Sequence, residues 1–220
     1  MPNPWQYALM VGPLGFYFWA VAVRNGGRRP VVVSGLVDHV LLCFGIGGVL
    51  AFGPFGRLVA RSLFGTPDTI DWLALLSGFG LFACFLARRA LRRLVVYNVE
   101  AATLTLAMTD VLSTVDGEFV RTLSGFEDRR SGRGLAVDVS KRLRSATVEA
   151  YGKDSEPLIQ AVRPKLRARL KEAEPSATRL AAVFYGVSLA VMVGPLVGLF
   201  VSQPAAREGL RALIDRIRGV

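Results

Sequence analysis

The chain has 220 residues, 52% of them hydrophobic, and its 27 Lys and Arg against 17 Asp and Glu give a formal charge of +10. Its apolar residues are blocked into four runs, not spread periodically, and the mean hydropathy is +0.41, which argues against an ordinary soluble domain. No aromatic-interleaved basic motif accompanies the charge, so it reads as topogenic and facing anionic headgroups, with no nucleic-acid partner expected.

The runs cover residues 5–23, 33–55, 70–87 and 180–201. Each has about 18–23 residues, and a hydrocarbon core of about 30 Å needs about 20 at helical rise. The expected fold class is an α-helical integral membrane protein with four transmembrane helices. A small α+β domain of order β-α-β-β-β-α is inserted between helices three and four. The expected division is 1–93 for three helices, 94–174 for the domain, 175–202 for the fourth helix and 203–220 for a tail.

Residues 1–7, where the first run begins, hold no Lys or Arg, so that run is read as a retained helix and not as a signal peptide. Arg24, Arg28 and Arg29 follow it. The second run carries Asp38 and His39 about one turn inside its cytoplasmic edge. An ionisable group in a bilayer is a functional candidate, and histidine titrates near neutrality, so this pair is the candidate ion or proton path. Adjacent helical residues point about 100° apart, so the two do not share a face. Ser34, Ser77, Tyr185 and Ser188 are the other polar candidates for lining such a path. Cys43 and Cys84 fall inside runs, where buried apolar cysteine is expected and no secreted disulfide framework is.

Gly12-Pro13, Gly53-Pro54 and Gly194-Pro195 are expected to interrupt or kink helices. Cys43, Gly47 and Ala51 form a short small-residue face in run two, with Ala74–Gly78 and Gly80–Cys84 spacings in run three. Arg88, Arg89, Arg92 and Arg93 follow run three. With the clusters at 24–29, 88–93 and 163–179 all on one side, the positive-inside bias places the domain in the cytoplasm and both termini outside. Arg207, Arg211, Arg216 and Arg218 in the tail oppose that orientation.

In the domain, residues 94–99 read as a strand and 100–115 as a helix with Asn98 as its N-cap and Asp116-Gly117 as its stop. Three strands follow at 118–124, 134–140 and 146–151, with 127–132 as a hairpin loop. A last helix starts near Ser155, carries Leu158, Val162, Leu166 and Leu170 in one stripe, and should kink or split at Pro164. About four strands with two helices on one face can bury a small core. The cations beside the leucine stripe, with those after run three, make Arg88, Arg89, Arg92, Arg93, Arg163 and Arg167 the candidate anionic-lipid contacts.

The domain holds no histidine or cysteine and no phosphate-loop or dinucleotide sequence. Its acids Glu118, Glu127, Asp128, Asp138 and Glu149 are scattered. No catalytic, cofactor-binding or metal residue is expected, and no enzyme activity. In run four, Gly186, Ala190, Gly194 and Gly198 recur every fourth residue and mark a face for close helix packing. The tail aligns Leu210, Leu213, Ile214 and Ile217 for an interfacial helix.

The expected function is a non-catalytic membrane subunit or scaffold, forming a homo-oligomer or hetero-complex through small-residue faces and binding a partner through its cytoplasmic domain. A transporter or homo-oligomeric channel with Asp38 and His39 near the path is the alternative. The Ala- and Arg-rich composition points to a bacterial cytoplasmic membrane.

Overall fold

Three consecutive valines decide the architecture. In the computed structural model, which describes residues 4–64, 69–173 and 180–202, they form most of strand β1 (Val31–Ser34), between helices α1 (Pro4–Gly26) and α2 (Gly35–Phe52). The branched side chains favour the pleated conformation. β1 pairs antiparallel with β2 (Arg93–Tyr97), which sets Val31 opposite Tyr97 and Ser34 opposite Leu94.

Helices α3 (Pro54–Phe64) and α4 (Thr69–Ala90) lie between α2 and β2. After β2 come α5 (Ala101–Ser113), β3 (Phe119–Arg121), β4 (Gly125–Asp128), β5 (Gly134–Ser140), β6 (Ser145–Tyr151), α6 (Ser155–Lys171) and α7 (Leu180–Ser202). The strands form one six-stranded antiparallel sheet in the order β1-β2-β6-β5-β4-β3. The sheet therefore does not come from residues 94–174 alone, because the connection between the first two helices supplies an edge strand.

One face of the sheet makes the core. Leu94, Val96, Leu135 and Val148 pack with Leu104 and Met108 of α5 and with Val162, Leu166 and Leu170 of α6. Alternation along the strands sends Arg93, Val95, Tyr97, Thr147 and Glu149 to the opposite face, where Tyr97 meets α2 and Glu149 meets α4. The sheet thus separates α5 and α6 from the ends of α2 and α4.

Glycine is required where these ends converge. A Cβ on Gly35 would lie 2.7 Å from the Ala90 carbonyl oxygen, so only glycine lets α2 start beside the end of α4. Along α2, Gly45 and Gly48 form the seam against α1, and a Cβ on Gly48 would come within 3.1 Å of the Leu9 carbonyl oxygen.

Several expectations need correction. The sheet has six strands instead of about four, because β1 adds an edge strand and 125–128 pairs on both sides where a loop was expected to begin at 127. Of β4, Phe126 enters the apolar core, which left the segment too polar to read as a strand. Helix α5 starts after Glu100, not after an Asn98 cap. Asn98 instead adopts φ 53° and donates from Nδ2 to the Gly27 carbonyl at 2.7 Å, which ties the α1–β1 turn to β2.

Residues 33 and 34 are strand, and Gly53 ends α2, so run two becomes β1, α2 and a separate helix α3. Helix α6 is continuous through Pro164. The carbonyl that Pro164 frees belongs to Gln160, and both residues are exposed, so water can satisfy it. Helices α1 and α7 likewise run on through Pro13 and Pro195. Residues 203–220 of the expected tail helix lie outside the described residues.

Asp128 holds the β4–β5 connection. It is 3% exposed and accepts from Ser131 Oγ at 2.6 Å, from the Glu118 amide at 3.1 Å and from the Arg130 amide at 3.2 Å. These bonds, led by Ser131 and helped by the Arg133 charge, hold its carboxyl down at about 2.

Two outcomes are expected. Leu166→Ala should destabilise the sheet unit by about 2–5 kcal/mol in denaturant unfolding of the full chain, whereas Leu123→Ala, at a fully exposed position, should change it by less than about 0.5 kcal/mol. Because the folded Asp128 carboxyl lies below its unfolded value, its contribution is complete above about pH 4 and is lost as the pH falls toward 2. Asp128→Asn should flatten that part of the stability profile.

Candidate functional site at the helix–sheet junction

Asp38 is the one acid in α2, in its first turn. An acid there needs a donor close by, and the sheet supplies it. Tyr97 projects from β2 and donates its hydroxyl to Asp38 Oδ1. Arg24, from the last turn of α1, places Nη1 4.0 Å from the same oxygen and its guanidinium carbon 5.8 Å from the Tyr97 ring centroid. Burial, then the Asp38 charge and hydrogen bond, push the Tyr97 phenol far above its ordinary range. The phenol therefore stays protonated and remains the donor. Two helices and one strand meet in this cluster.

A second cluster ties down α4. Arg89 in its last turn reaches Glu149 at 2.8 Å, and Arg93 at the start of β2 reaches the other carboxylate oxygen at 2.7 Å. Burial alone would raise the Glu149 carboxyl, but the hydrogen bonds and charges of the two arginines outweigh it and hold it below its ordinary range. Arg89 and Arg93 are therefore engaged with protein. Arg88, Arg92, Arg163 and Arg167 have no ion pair among the described residues, and Arg163 and Arg167 lie on α6, across the sheet from α2 and α4.

His39 faces a different partner from Asp38. Its Nε2 sits 3.0 Å from the Ala83 carbonyl of α4, so this nitrogen carries the proton it donates there. Cys43 Sγ is 3.4 Å from the same nitrogen. A thiol beside an imidazole is a residue pair used in nucleophilic chemistry; here the nearer nitrogen directs its hydrogen at the Ala83 carbonyl, which leaves Nδ1, 3.9 Å from Sγ, as the ring's acceptor. Asp38 and His39 are thus each held, on separate sides of α2. Among the described residues no group of three or more His, Cys, Asp or Glu is placed to hold a metal ion.

The small-residue face of α7 is open. Gly186, Ala190, Gly194 and Gly198 are all exposed, and a Cβ at any of the three glycines would meet nothing within 4 Å. Helix α7 packs on α1 through other positions. Ser188 donates to the Gly15 carbonyl at 3.0 Å, and Ala181 and Tyr185 lie against Gly26.

Arg24, Tyr97 and Glu149 were not singled out by sequence. A lone acid inside an apolar helix signals that some donor must exist, but Tyr97 is 59 positions away and looks like any strand tyrosine. Comparison of the chain with family models, with curated proteins and with solved structures finds no match.

Tyr97→Phe should leave Asp38 without its hydroxyl donor, at a cost of about 1–3 kcal/mol. Amide hydrogen exchange of β1 and β2 should speed up accordingly, with the β5–β6 pair less affected. Glu149, lowered in the folded state, contributes above the unfolded carboxyl range of about 4.3 and loses its contribution as the pH falls below it. Glu149→Gln should remove that pH dependence from the exchange of β2 and β6.

Proposed function

We propose that the chain is an integral membrane protein in which α1, α2, α4 and α7 cross the bilayer and the sheet with α5 and α6 forms a cytoplasmic domain. It acts as a non-catalytic subunit or scaffold, and its rigidly attached domain binds a partner. The observation that carries this reading is helix α4. It is 22 residues long and apolar enough to cross a membrane, as is α2, and none of its apolar window is buried. Leu73, Leu81 and Phe85 are 60%, 74% and 69% exposed. The core helix of a soluble protein would hide these side chains, whereas hydrocarbon makes their exposure free of cost.

The short helix α3 fits the same arrangement. It follows the break at Gly53, leaves Leu58 and Leu63 exposed and carries Arg61, as a helix in the interface plane would. The open small-residue face of α7 offers a surface for a second helix, from another copy or from a different chain. Anionic lipid remains the proposed partner of the exposed arginines Arg88 and Arg92 at the end of α4.

The transporter or channel reading would have Asp38 and His39 on one path. It draws no support from their contacts, which lead to β2 and α1 in one case and to α4 in the other.

The chain should remain with the membrane after alkaline extraction and should need detergent to stay dispersed. Detergent-free monomers in buffer would overturn the reading. Native mass spectrometry from mild detergent should then show a fixed assembly with like or unlike chains. Added bulk on the small-residue face of α7, introduced as Gly194→Leu, should weaken that assembly. In liposomes, Asp38→Asn and His39→Ala are expected to leave ion flux unchanged; loss of a wild-type flux in either variant would favour the channel.

A further inference from the structure

We propose that the groove between α1 and α2 holds one anionic phospholipid, with an acyl chain along its apolar wall and the phosphate on Arg24. This rests on the membrane reading above and names a specific ligand for one place in it. The groove has a volume of about 590 Å³. Phe16, Trp19 and Val23 of α1 face Val37 and Val40 of α2 across it, and Arg24 is the one charged side chain in its lining. All five apolar side chains are between 43% and 55% exposed, so the groove is a ready-made apolar channel open along its length.

The charge at its end is incompletely answered. Asp38 stands 4.0 Å from Arg24 Nη1, beyond hydrogen-bond reach, and already accepts from Tyr97. Nη1 is buried without a hydrogen-bond partner in the chain, and Arg24 itself lines the groove. A guanidinium offers five donors and suits a phosphate in a bidentate geometry. Arg28 and Arg29, both exposed, follow immediately and extend the positive charge past the groove mouth.

A ligand that complements this arrangement has a long apolar body and a negative end. An anionic phospholipid has both. A zwitterionic one brings an ammonium group toward three arginines. Unlike Arg88 and Arg92, which offer only surface charge, this site couples charge to a shaped apolar surface, so it should retain lipid through purification.

The full chain in phosphatidylcholine nanodiscs containing a minor fraction of phosphatidylglycerol, ejected for native mass spectrometry, provides the test. The expected result is one retained phosphatidylglycerol per chain. Arg24→Gln should weaken retention about tenfold, the loss of one charge-assisted hydrogen bond. Val40→Trp fills the groove from a residue that is not itself part of the Arg24, Asp38 and Tyr97 cluster, and should lower retention as much. Equal retention of the two lipids, or retention unchanged in Val40→Trp, would overturn the site while leaving the membrane reading intact. A chain that disperses without detergent would instead overturn the membrane reading, and the site with it.

Discussion

The pairing of β1 with β2 constrains everything around it. β1 has four residues and passes directly into α2, while α4 is separated from β2 by Leu91 and Arg92 alone. Once Val31–Ser34 is hydrogen-bonded along 94–97, the start of α2 and the end of α4 must lie side by side at one edge of the sheet. The end of α1 is held there too, through the short turn that Asn98 grips at Gly27. Glycine at 35 is the local consequence, since no larger residue fits between the Ala90 carbonyl and Arg93.

The two polar clusters consolidate that geometry and do not create it. Ion pairs with solvent access contribute about 0–1 kcal/mol each, so Arg89, Arg93 and Glu149 add less to stability than a single core leucine on α6. Their value lies in what a wrong arrangement would leave behind. Shifting β2 by one residue would turn Tyr97 into the core and strand Asp38 without its donor, and would carry Arg93 away from Glu149. Partly buried polar groups that must find each other in this way select one register. In the membrane reading, they also make the domain an extension of the helices: a force on α1, α2 or α4 reaches the sheet through short, bonded connections.

The helices were legible because each apolar run is longer than a turn of competing pattern could explain, and α4 and α7 begin and end within three residues of runs three and four. The helical stripe of α6 was legible for the same reason, and Leu158, Val162, Leu166 and Leu170 are in the core as their spacing implied. β1 was not, because its valines merge into the apolar run of α2 and only tertiary pairing separates them. β4 was hidden by its polarity. The glycine pattern misled in a different way. The regular spacing at 186, 190, 194 and 198 stands out, but the close packing inside the chain uses Gly45 and Gly48 on α2 and Gly15 on α1. Spacing shows which residues can share a helix face; it does not say which face meets a neighbour. The junction was unreadable because each of its contacts joins residues from separate elements: Asp38 stands out as an acid in an apolar run, but its partners Arg24 and Tyr97 are unremarkable in their own segments.

The claim that the loop between the first two helices is part of the sheet can be measured directly. Val33 and Val95 are register partners on the face away from the core. In a chain with Cys43 and Cys84 replaced by alanine, Val33→Cys with Val95→Cys should oxidise to an intramolecular disulfide, identified by peptide mass spectrometry. It should form as readily as the control pair Asp138→Cys with Thr147→Cys, which are partners across β5 and β6. Thiols that stay reduced at 33 and 95 while the control pair closes would contradict the account.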